Sequence, residues 1–564
     1  MISNLGKKRC YIIFLALLLV FTTLIVRIVN YKYFKSDDLA LMAENQYQYK
    51  EKTSELNYLL LDNKGRDLLN YLDIYYVVID PYTYSINNHY TKKDDLEALK
   101  IILKGYNSQY DIDKEIIENK SSKIKWVIDE EVYNKLKKIK GVNGFYVYKH
   151  SIIDRENSWW NVENLITNVY KNGAEKLQRK SDNSIEMKIA EKTKNNQYVY
   201  HIFSKDVNGN ITNEFNTSPK DNVNVRLTLD KNLQLSIKEV LSRSQYNQYD
   251  QIGVILMEAD SGKIRAMVQK DDSKPNVNIG ASTNKGFFAG SIFKTIVEEA
   301  GIETGTISLN HLYKHKNYGG LFEEHEDRKS KNAKEAFIKS SNNIFVQIGE
   351  DAGIKNVNSV AEKHGLYKKV LDFDAEESGN LELDIKQVKD NSGDSLQAYI
   401  GQKSRVTPIE AISIPNTVVN RGVYVKPYII DAYVDSNNNV IEKLDTEKKR
   451  ILNESTANIL KSQMIQVVSN KEGTGKVAYI DNIEIGAKTG TSARVEDVID
   501  KDSKEKKTLE YYDGWFTGFF KVENKYYSMV VFAQNIGKKT NAAGIAAPVF
   551  KEIVEGVYDY LNKF

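Results

Sequence analysis

Three short motifs, far apart along the chain, most constrain what it can fold into. They are Ser291-Ile292-Phe293-Lys294, Ser340-Ser341-Asn342 and Lys488-Thr489-Gly490-Thr491. Each is uninformative alone, because such short patterns often occur by chance. Their residue types are complementary, since they combine hydroxyls, amines and an amide. A fold that brings the three together would build one catalytic site, and the function therefore depends on whether these residues can perform acyl transfer.

The first motif has the spacing of an activated nucleophile. A serine hydroxyl is a poor nucleophile near neutral pH and needs an adjacent base. Ser291 and Lys294 are three residues apart, so on a helix they share one face. Gly290 allows a sharp turn into that helix. Lys488 supplies a second cation, which would favour loss of the proton from Lys294 and would also attract a substrate carboxylate.

The other two motifs predict the remaining walls of a cleft. Residues 483–491 begin with apolar and polar alternation and end in small residues, which predicts a strand that another backbone can approach. A substrate peptide could pair with that strand, and the N–H groups of Thr491 and Ser291 could form an oxyanion hole. The second motif follows Asn332–Lys339, a segment with a helical pattern, and would bring a hydroxyl and an amide to the third side.

A family resemblance follows from these motifs. They resemble the Ser-x-x-Lys, Ser-Asp-Asn and Lys-Thr-Gly set of penicillin-binding proteins and class A β-lactamases, with Ser341 in place of the aspartate. Over about residues 225–564 the chain resembles class B penicillin-binding proteins, which are membrane-anchored D,D-transpeptidases. Ala289 and Lys403 depart from the proline and the glycine that are usual there. The segments that carry the resemblance outside the motifs are Val225–Asp230, Leu233-Gln234, Gly253–Ala259, Gly262–Val268, Gly401-Gln402, Val406–Pro408 and Trp515–Gly518.

The resemblance implies a reaction and a role for each motif residue. It implies a serine acyltransferase that cross-links peptidoglycan stem peptides, without a cofactor, and that β-lactam antibiotics acylate. D,D-carboxypeptidase activity and a membrane glycan polymerase as partner are further expectations. The implied roles are Ser291 as nucleophile, Lys294 as base, Ser340 as proton relay and Asn342 as orienting amide. Lys488 and Thr489 are implied to hold the terminal carboxylate, Gly490 to be a further substrate-binding residue, and Thr491 to be the oxyanion donor.

Two alternative functions stay open. A β-lactamase would use the same serine chemistry but must deacylate with water, and the sequence between the second and third motifs lacks a Glu-x-x-Leu-Asn segment. A β-lactam sensor or non-catalytic scaffold would keep binding alone. The predicted membrane anchor and large pedestal favour the transpeptidase.

Charge and cysteine usage exclude several other classes. The 79 basic and 76 acidic side chains give a net charge of +3, so no nucleic-acid partner is indicated. The one cysteine, Cys10, excludes an internal disulfide and an all-cysteine metal site.

An apolar run near the N-terminus predicts a membrane anchor. Residues 11–26 are uncharged and strongly apolar, and Lys7-Lys8-Arg9 precede them, which predicts a cytoplasmic N-terminus. A cleaved signal peptide is the alternative, but no small-x-small cleavage site follows. We expect a single-pass protein of the cell membrane, with a cytoplasmic tail over 1–10, a transmembrane signal anchor over 11–30, an extracytoplasmic pedestal or dimerisation-like domain over 31–220 and a transpeptidase domain over 221–564.

The pattern of the catalytic half predicts an α+β fold. Strands are expected at 251–258, 263–269, 483–489, 514–520 and 526–534, with a closing helix over 545–561. An antiparallel sheet of about five strands flanked by helices is consistent with this order and with the family. In the pedestal, which is predicted to be mixed α/β, residues 71–80 suggest a strand, whereas 96–103 and 130–139 suggest helices. The best domain break is Ser218–Asp221, where a proline interrupts the pattern.

A histidine cluster lies between the first two motifs. His311, His315 and His325, with nearby carboxylates at 323, 324, 326 and 327, are candidate metal ligands, and the His311/His315 spacing suits one helical face. Tyr318-Gly319-Gly320 indicates a loop instead. We therefore prefer a solvated loop and predict no metal.

Overall fold

The computed structural model describes residues 4–34, 47–118, 122–174, 176–319, 322, 328–499, 506–537 and 542–563. In chain order, the helices of these residues are α1 (Asn4–Val29), α2 (Pro81–Asn87), α3 (Lys93–Tyr106), α4 (Ile112–Glu118), α5 (Glu130–Leu136), α6 (Val162–Thr167), α7 (Ile185–Thr193), α8 (Lys231–Leu241), α9 (Lys294–Thr304), α10 (Ala333–Lys339), α11 (Asn342–Ala352), α12 (Ile354–Lys363), α13 (Gly393–Ala398), α14 (Pro408–Ala411), α15 (Ser413–Val419), α16 (Glu454–Ser469) and α17 (Ala542–Leu561).

The strands are short in most of the chain and long near the third motif. In chain order they are β1 (Gln48–Lys52), β2 (Leu60–Leu61), β3 (Tyr71–Ile79), β4 (Ile124–Ile128), β5 (Phe145–Ile153), β6 (Tyr200–Lys205), β7 (Ile211–Asn216), β8 (Asn224–Leu227), β9 (Gln251–Glu258), β10 (Ile264–Gln269), β11 (Phe287–Phe288), β12 (Asn380–Leu381), β13 (Ser404–Val406), β14 (Val423–Val425), β15 (Ile430–Val434), β16 (Val440–Lys443), β17 (Lys448–Arg450), β18 (Ile485–Ile499), β19 (Lys506–Val522) and β20 (Lys525–Gln534).

The chain divides into two compact units. The first comprises Met1–Asn57, Tyr71–Ile152 and Gln197–Pro219, and the second comprises Tyr58–Asn70, Ile153–Asn196 and Lys220–Phe564. Each unit is thus built from separate stretches of chain. The division into a pedestal over 31–220 and a catalytic domain over 221–564 stays a prediction.

The first unit contains two small sheets. Their strand orders are β4-β3-β5 and β1-β6-β7. The apolar residues of β3, β4 and β5 form a core with those of helices α2 to α5. The expected strand at 71–80 and helices at 96–103 and 130–139 correspond to β3, α3 and α5.

The centre of the second unit is a five-stranded antiparallel sheet in the order β10-β9-β20-β19-β18. Every residue of β9 except the last is buried, as expected for a central strand covered on both faces. On β20, Met529 belongs to the apolar cluster that contains Phe550 of α17. The neighbouring Ser528, which points to the other face, donates to Asn416 of α15. Helices therefore cover both faces, and the predicted α+β fold is confirmed.

The helix α1 carries the apolar run. Tyr11–Tyr33 has a mean hydropathy of 2.8, and within the described ranges it is the one helix long and apolar enough to cross a membrane. Signal sequences share these properties, so length and composition leave the choice between anchor and signal peptide open.

Candidate active site

Ser291 lies in a tight turn that leads directly into α9. Gly290–Phe293 form a 3₁₀ turn and α9 begins at Lys294, so the serine precedes the α-helix that was expected to contain it. Gly290 has φ = 53°, and a Cβ there would lie 2.5 Å from the carbonyl oxygen of Thr491. The left-handed conformation and the close approach of the third motif together require glycine. Ser291 is half-buried, whereas Lys294 has no exposed surface.

The second motif occupies a corner between two helices. Asn332 and Glu335 form a capping box at the start of α10, and Ser340 ends that helix with φ = 56°. Ser341 then caps α11, because its side chain accepts a hydrogen bond from the N–H of Ile344. Serine and aspartate are both favoured at this cap position. The departure of Ser341 from the family motif therefore preserves the local structure that orients Ser340 and Asn342.

The third motif lies on β18, an edge strand of the five-stranded sheet. Lys488 pairs with Thr517 and Thr491 pairs with Gly514, both on β19. A Cβ on Gly490 would lie 2.8 Å from a methyl carbon of Ile292, so the strand packs directly against the turn of Ser291. β18 extends to Ile499, well beyond the end predicted at 489.

The structure brings the two lysines to one hydroxyl. Lys294 Nζ donates to Asn342 Oδ1 at 2.7 Å, to Ser340 O at 2.7 Å and to Ser340 Oγ at 3.2 Å. Lys488 Nζ donates to the same Ser340 Oγ at 2.8 Å. Residues from all three motifs therefore converge, and the Ser340 hydroxyl bridges two amines that lie 194 positions apart in the chain.

Burial shapes the electrostatics of this cluster. Lys488 has no exposed surface, and loss of hydration lowers its pKa to about 7, against the opposing effect of Glu298. The pKa of Glu298, equally buried, is raised to about 7 by the same cause. The amine and the carboxylate thus both titrate near neutral pH.

The motifs are supported by Trp515 and by three residues that the sequence analysis missed, which are Thr474, Gln463 and Glu298. Thr489 donates from its hydroxyl to that of Thr474 at 2.8 Å, and Trp515 Nε1 donates to the carbonyl of Phe288 at 3.0 Å, just ahead of Ser291. Gln463 donates to Glu298 at 2.7 Å. Only Glu298 had a signal in the sequence, because it follows Lys294 by four residues on a helix. Thr474 and Gln463 are brought close by tertiary structure alone.

A cavity of about 510 Å³ is lined in part by residues of β11, β13 and β18. Lys403, one of the two residues that depart from the family pattern, is part of its lining. Other lining residues are Phe288, Glu382, Gln402, Arg405, Ala493 and Arg494. No residue of the three motifs lines this cavity.

The histidine candidates do not converge in the part of the chain that the structure describes. His311 and His315 lie in a segment without helix between α9 and α10, so the single helical face that their spacing suits is not formed. The His311 ring packs against Tyr313 at 4.5 Å. Within the described ranges, His, Cys, Asp and Glu side chains form no group of three that could hold a metal. His325 and the carboxylates at 323, 324, 326 and 327 lie outside the described residues.

The chain is similar to a known protein family and to several known proteins. Residues 252–555 match the family described as the penicillin binding protein transpeptidase domain. Stage V sporulation protein D of Bacillus subtilis is 25% identical over 303 residues, 50% of this chain and 46% of that protein. Peptidoglycan D,D-transpeptidase PbpA of Mycobacterium tuberculosis is 22% identical over 373 residues, 59% of this chain and 72% of that protein.

Two further comparisons concern coverage and fold. Penicillin-binding protein PbpB of Mycolicibacterium smegmatis is 24% identical over 296 residues, 49% of this chain and 45% of that protein. The chain thus spans less than half the length of stage V sporulation protein D and of this PbpB. The crystal structure of a peptidoglycan synthetase from Bifidobacterium adolescentis has the same fold, with a TM-score of 0.61 and 17% identity over 91% of this chain and 96% of that one.

The family match covers more than half of the chain and includes all three motifs, the five-stranded sheet and most of the helices around it. The chain therefore belongs to the penicillin-binding protein transpeptidase family, within its class B members.

Proposed function

We propose that this protein is a serine-type D,D-transpeptidase that cross-links peptidoglycan stem peptides. The observation that carries the proposal is the convergence of Lys294, Ser340 and Lys488 on one hydroxyl, beside the turn that holds Ser291. A substrate class is supported by the name of one relative, a peptidoglycan D,D-transpeptidase. A D,D-carboxypeptidase reaction would follow if water replaced the acceptor amine.

Acylation begins at Ser291. Its Oγ attacks the carbonyl carbon of the penultimate D-alanine, and its proton passes to Lys294 Nζ. Lys294 acts as a base in its neutral form, in which two N–H donors stay on Ser340 O and Asn342 Oδ1 at 2.7 Å and the longer contact to Ser340 Oγ at 3.2 Å is given up. The lone pair is then available as a base. The N–H groups of Ser291 and Thr491 stabilise the oxyanion.

The second half of acylation uses Ser340. Its Oγ accepts hydrogen bonds from both lysines, so it can pass a proton to the departing D-alanine amine. Lys488 and Thr489 hold the terminal carboxylate, and Asn342 orients the peptide amide. An amine of a neighbouring stem peptide then attacks the acyl-enzyme, forms the cross-link and releases Ser291. The reaction needs no cofactor, and a β-lactam stops it at the acyl stage.

We further propose that α1 anchors the protein in the cell membrane as a single span. Lys7, Lys8 and Arg9 precede the apolar run, which favours a cytoplasmic N-terminus and places the catalytic unit outside. This location suits a cell-wall substrate and a membrane glycan polymerase as partner. Cell-shape and β-lactam-resistance phenotypes follow as expectations from such a role.

The test is covalent labelling of the full chain, solubilised in detergent, with a fluorescent penicillin and a chromogenic β-lactam. We expect one stable acylation that Ser291→Ala abolishes without loss of cooperative unfolding, because only the acyl acceptor is removed. Rapid turnover of the chromogenic compound would make the protein a β-lactamase. Labelling of Ser291→Ala at the wild-type level would remove the central claim.

A sensor or scaffold would acylate in the same way, so a second assay is needed. We expect the chain to exchange a labelled D-amino acid into a stem peptide that ends in D-alanyl-D-alanine. Stable acylation without any exchange would favour the sensor or scaffold.

A further inference from the structure

Thr474 contacts the third motif, although it belongs to none of the three motifs. Thr489 Oγ1 donates to Thr474 Oγ1 at 2.8 Å. Thr489 is buried and Thr474 is half-buried, so Thr474 is the more accessible of the two. The two hydroxyls therefore form a short hydrogen-bonded chain at the segment that is proposed to hold a carboxylate.

The loop that carries Thr474 is held in place by contacts that do not involve the Thr474 side chain. The N–H of Thr474 donates to the carbonyl of Ile338 on α10 at 3.3 Å. The last residue of α10 forms an ion pair with Glu472 of the loop at 3.2 Å. A Cβ on Gly473 would lie 2.2 Å from the carbonyl oxygen of Val467, so the loop also packs closely against α16. A change of the Thr474 side chain should therefore leave the loop where it is.

The two hydroxyls carry two protons and use only one of them on each other. A threonine hydroxyl has one O–H donor and two acceptor lone pairs. Among the described residues, Thr474 Oγ1 has no hydrogen-bond partner besides Thr489. Whichever hydroxyl donates within the pair, the other retains a free O–H. A carboxylate can only accept, and hydrogen bonds in a chain strengthen one another, so the pair suits an anion better than a single threonine does.

Lys488 brings a positive charge to the same segment. Its Nζ donates to the carbonyl oxygen of Thr489 at 3.2 Å and to Ser340 Oγ at 2.8 Å. Both of these acceptors are neutral, so neither compensates the charge of the ammonium. An ammonium and a free O–H on neighbouring side chains are the donors that bind a carboxylate most strongly.

We propose that Thr474 is a specificity-determining residue of the active site, whose hydroxyl completes with Thr489 a two-hydroxyl chain that binds the terminal carboxylate of the donor peptide or the equivalent carboxylate of a β-lactam. The inference rests on the proposed function and adds a residue to the same site. When the carboxylate binds, one O–H of the pair turns towards it and the other keeps the two hydroxyls joined. Thr474 takes part in recognition and in no covalent step.

The experiment measures the second-order rate of acylation of the full chain, in detergent, by a penicillin and by the carboxamide of the same penicillin. The carboxamide keeps the shape of the carboxylate and removes its charge. Thr474→Val keeps the branched shape and the N–H that donates to Ile338, and removes only the hydroxyl, whereas Thr474→Ser keeps the hydroxyl. Thr304→Val is the matched control, because Thr304 donates to the carbonyl of Ala300 in its own helix.

Thr474→Val should slow acylation by the penicillin about 10-fold, the scale for loss of a hydrogen bond to a charged group. Acylation by the carboxamide should slow by no more than about threefold, because a hydrogen bond to a neutral acceptor contributes less. Thr474→Ser should stay within about threefold of wild type with both compounds, since its hydroxyl is kept. Thr304→Val should match wild type. If Thr474→Val does not unfold cooperatively, Thr474→Ala replaces it.

A displaced loop would slow the two compounds equally in Thr474→Val, and that result would overturn the proposal. An unchanged penicillin rate in Thr474→Val, or an equal loss of rate in Thr474→Ser, would overturn it as well. Wild-type protein that reacts equally with the two compounds does not recognise the carboxylate, which again contradicts the proposal. Wild-type protein that neither compound acylates would instead refute the proposed function.

Discussion

At the scale of single residues, the site depends on two lysines that have no contact with solvent. Lys294 and Lys488 are both fully buried. A buried ammonium must be hydrogen-bonded or lose its proton, and both lysines donate to Ser340 Oγ. Their shared environment explains how a lysine could serve as a base while its neighbour binds an anion.

The first residue-scale prediction concerns the base. Lys294→Ala should slow acylation by at least ~10²-fold, the usual scale for loss of a positioned general base. Lys294→Arg should do little better, because a guanidinium stays protonated. The measurement is the single-turnover rate with a fluorescent penicillin, alongside thermal unfolding. Near-normal acylation in the arginine variant would show that Lys294 is not the proton acceptor.

Ser340 and Ser341 are adjacent but should have separable roles. Ser341→Ala removes the cap of α11 and should lower the free energy of unfolding by about 1 kcal/mol, with most of the acylation rate retained. Ser340→Ala removes the hydroxyl that both lysines contact and should slow acylation by roughly 10²-fold. Denaturant unfolding and acylation rates on both variants decide this, and the reverse pattern would contradict the assigned roles.

At the scale of helices and strands, the bounds predicted from the sequence agree best with the structure where the local pattern of apolar residues is strong. The strand predicted at 251–258 has the bounds of β9, because a central strand is an unbroken apolar run between polar turns. The strand predicted at 483–489 stopped too early, since β18 continues to Ile499. Its extension contains Arg494, Glu496 and Asp497 and is defined by pairing with β19. The alternation of residues within β18 does not show how far the pairing with the following strand continues.

The same reasoning explains which features of the candidate site could be predicted from the sequence. The motif residues could be predicted because their chemistry is distinctive and their spacing within each motif is short. The 3₁₀ turn at Ser291 could not, because close packing against Thr491 imposes it. Thr474 has no signal at all, since a threonine between two glycines is an ordinary turn residue.

A prediction at this scale concerns the loop that supports the turn of Ser291. Gly401 has φ = 79°, and a Cβ there would lie 2.0 Å from the carbonyl oxygen of Gly290. Gly401→Ala should therefore displace that turn, slow acylation at least ~10-fold and destabilise the protein by about 1–3 kcal/mol. Acylation rate and unfolding free energy are the measurements.

Gly393→Ala is the matched control. A Cβ on Gly393 would meet no atom within 4 Å, so that variant should be neutral or slightly stabilising. Equal behaviour of the two variants would show that the contact between Gly401 and Gly290 does not position Ser291.

At the scale of the whole molecule, the sequence predicts the structure of the catalytic half much better than that of the rest of the chain. The motifs, the sheet and the closing helix all fall in the second unit, which also includes Tyr58–Asn70 and Ile153–Asn196. A linear division at about residue 220 does not anticipate such segments. Their membership depends on contacts such as the parallel pairing of β2 with β8, a tertiary interaction that a reading along the chain does not detect.

The last prediction tests the membrane segment at this scale. Deletion of residues 1–27 should give a soluble protein that penicillin still acylates at Ser291, because the apolar run contains no motif residue. The full chain should fractionate with membranes and keep its N-terminus when the mature protein is sequenced. The matched control is the same deletion combined with Ser291→Ala, which should be soluble and unlabelled. A mature N-terminus that begins after residue 27 would make residues 11–26 a cleaved signal peptide. The proposed anchoring beside a glycan polymerase would then fail, while the proposed acyl-transfer chemistry would stand.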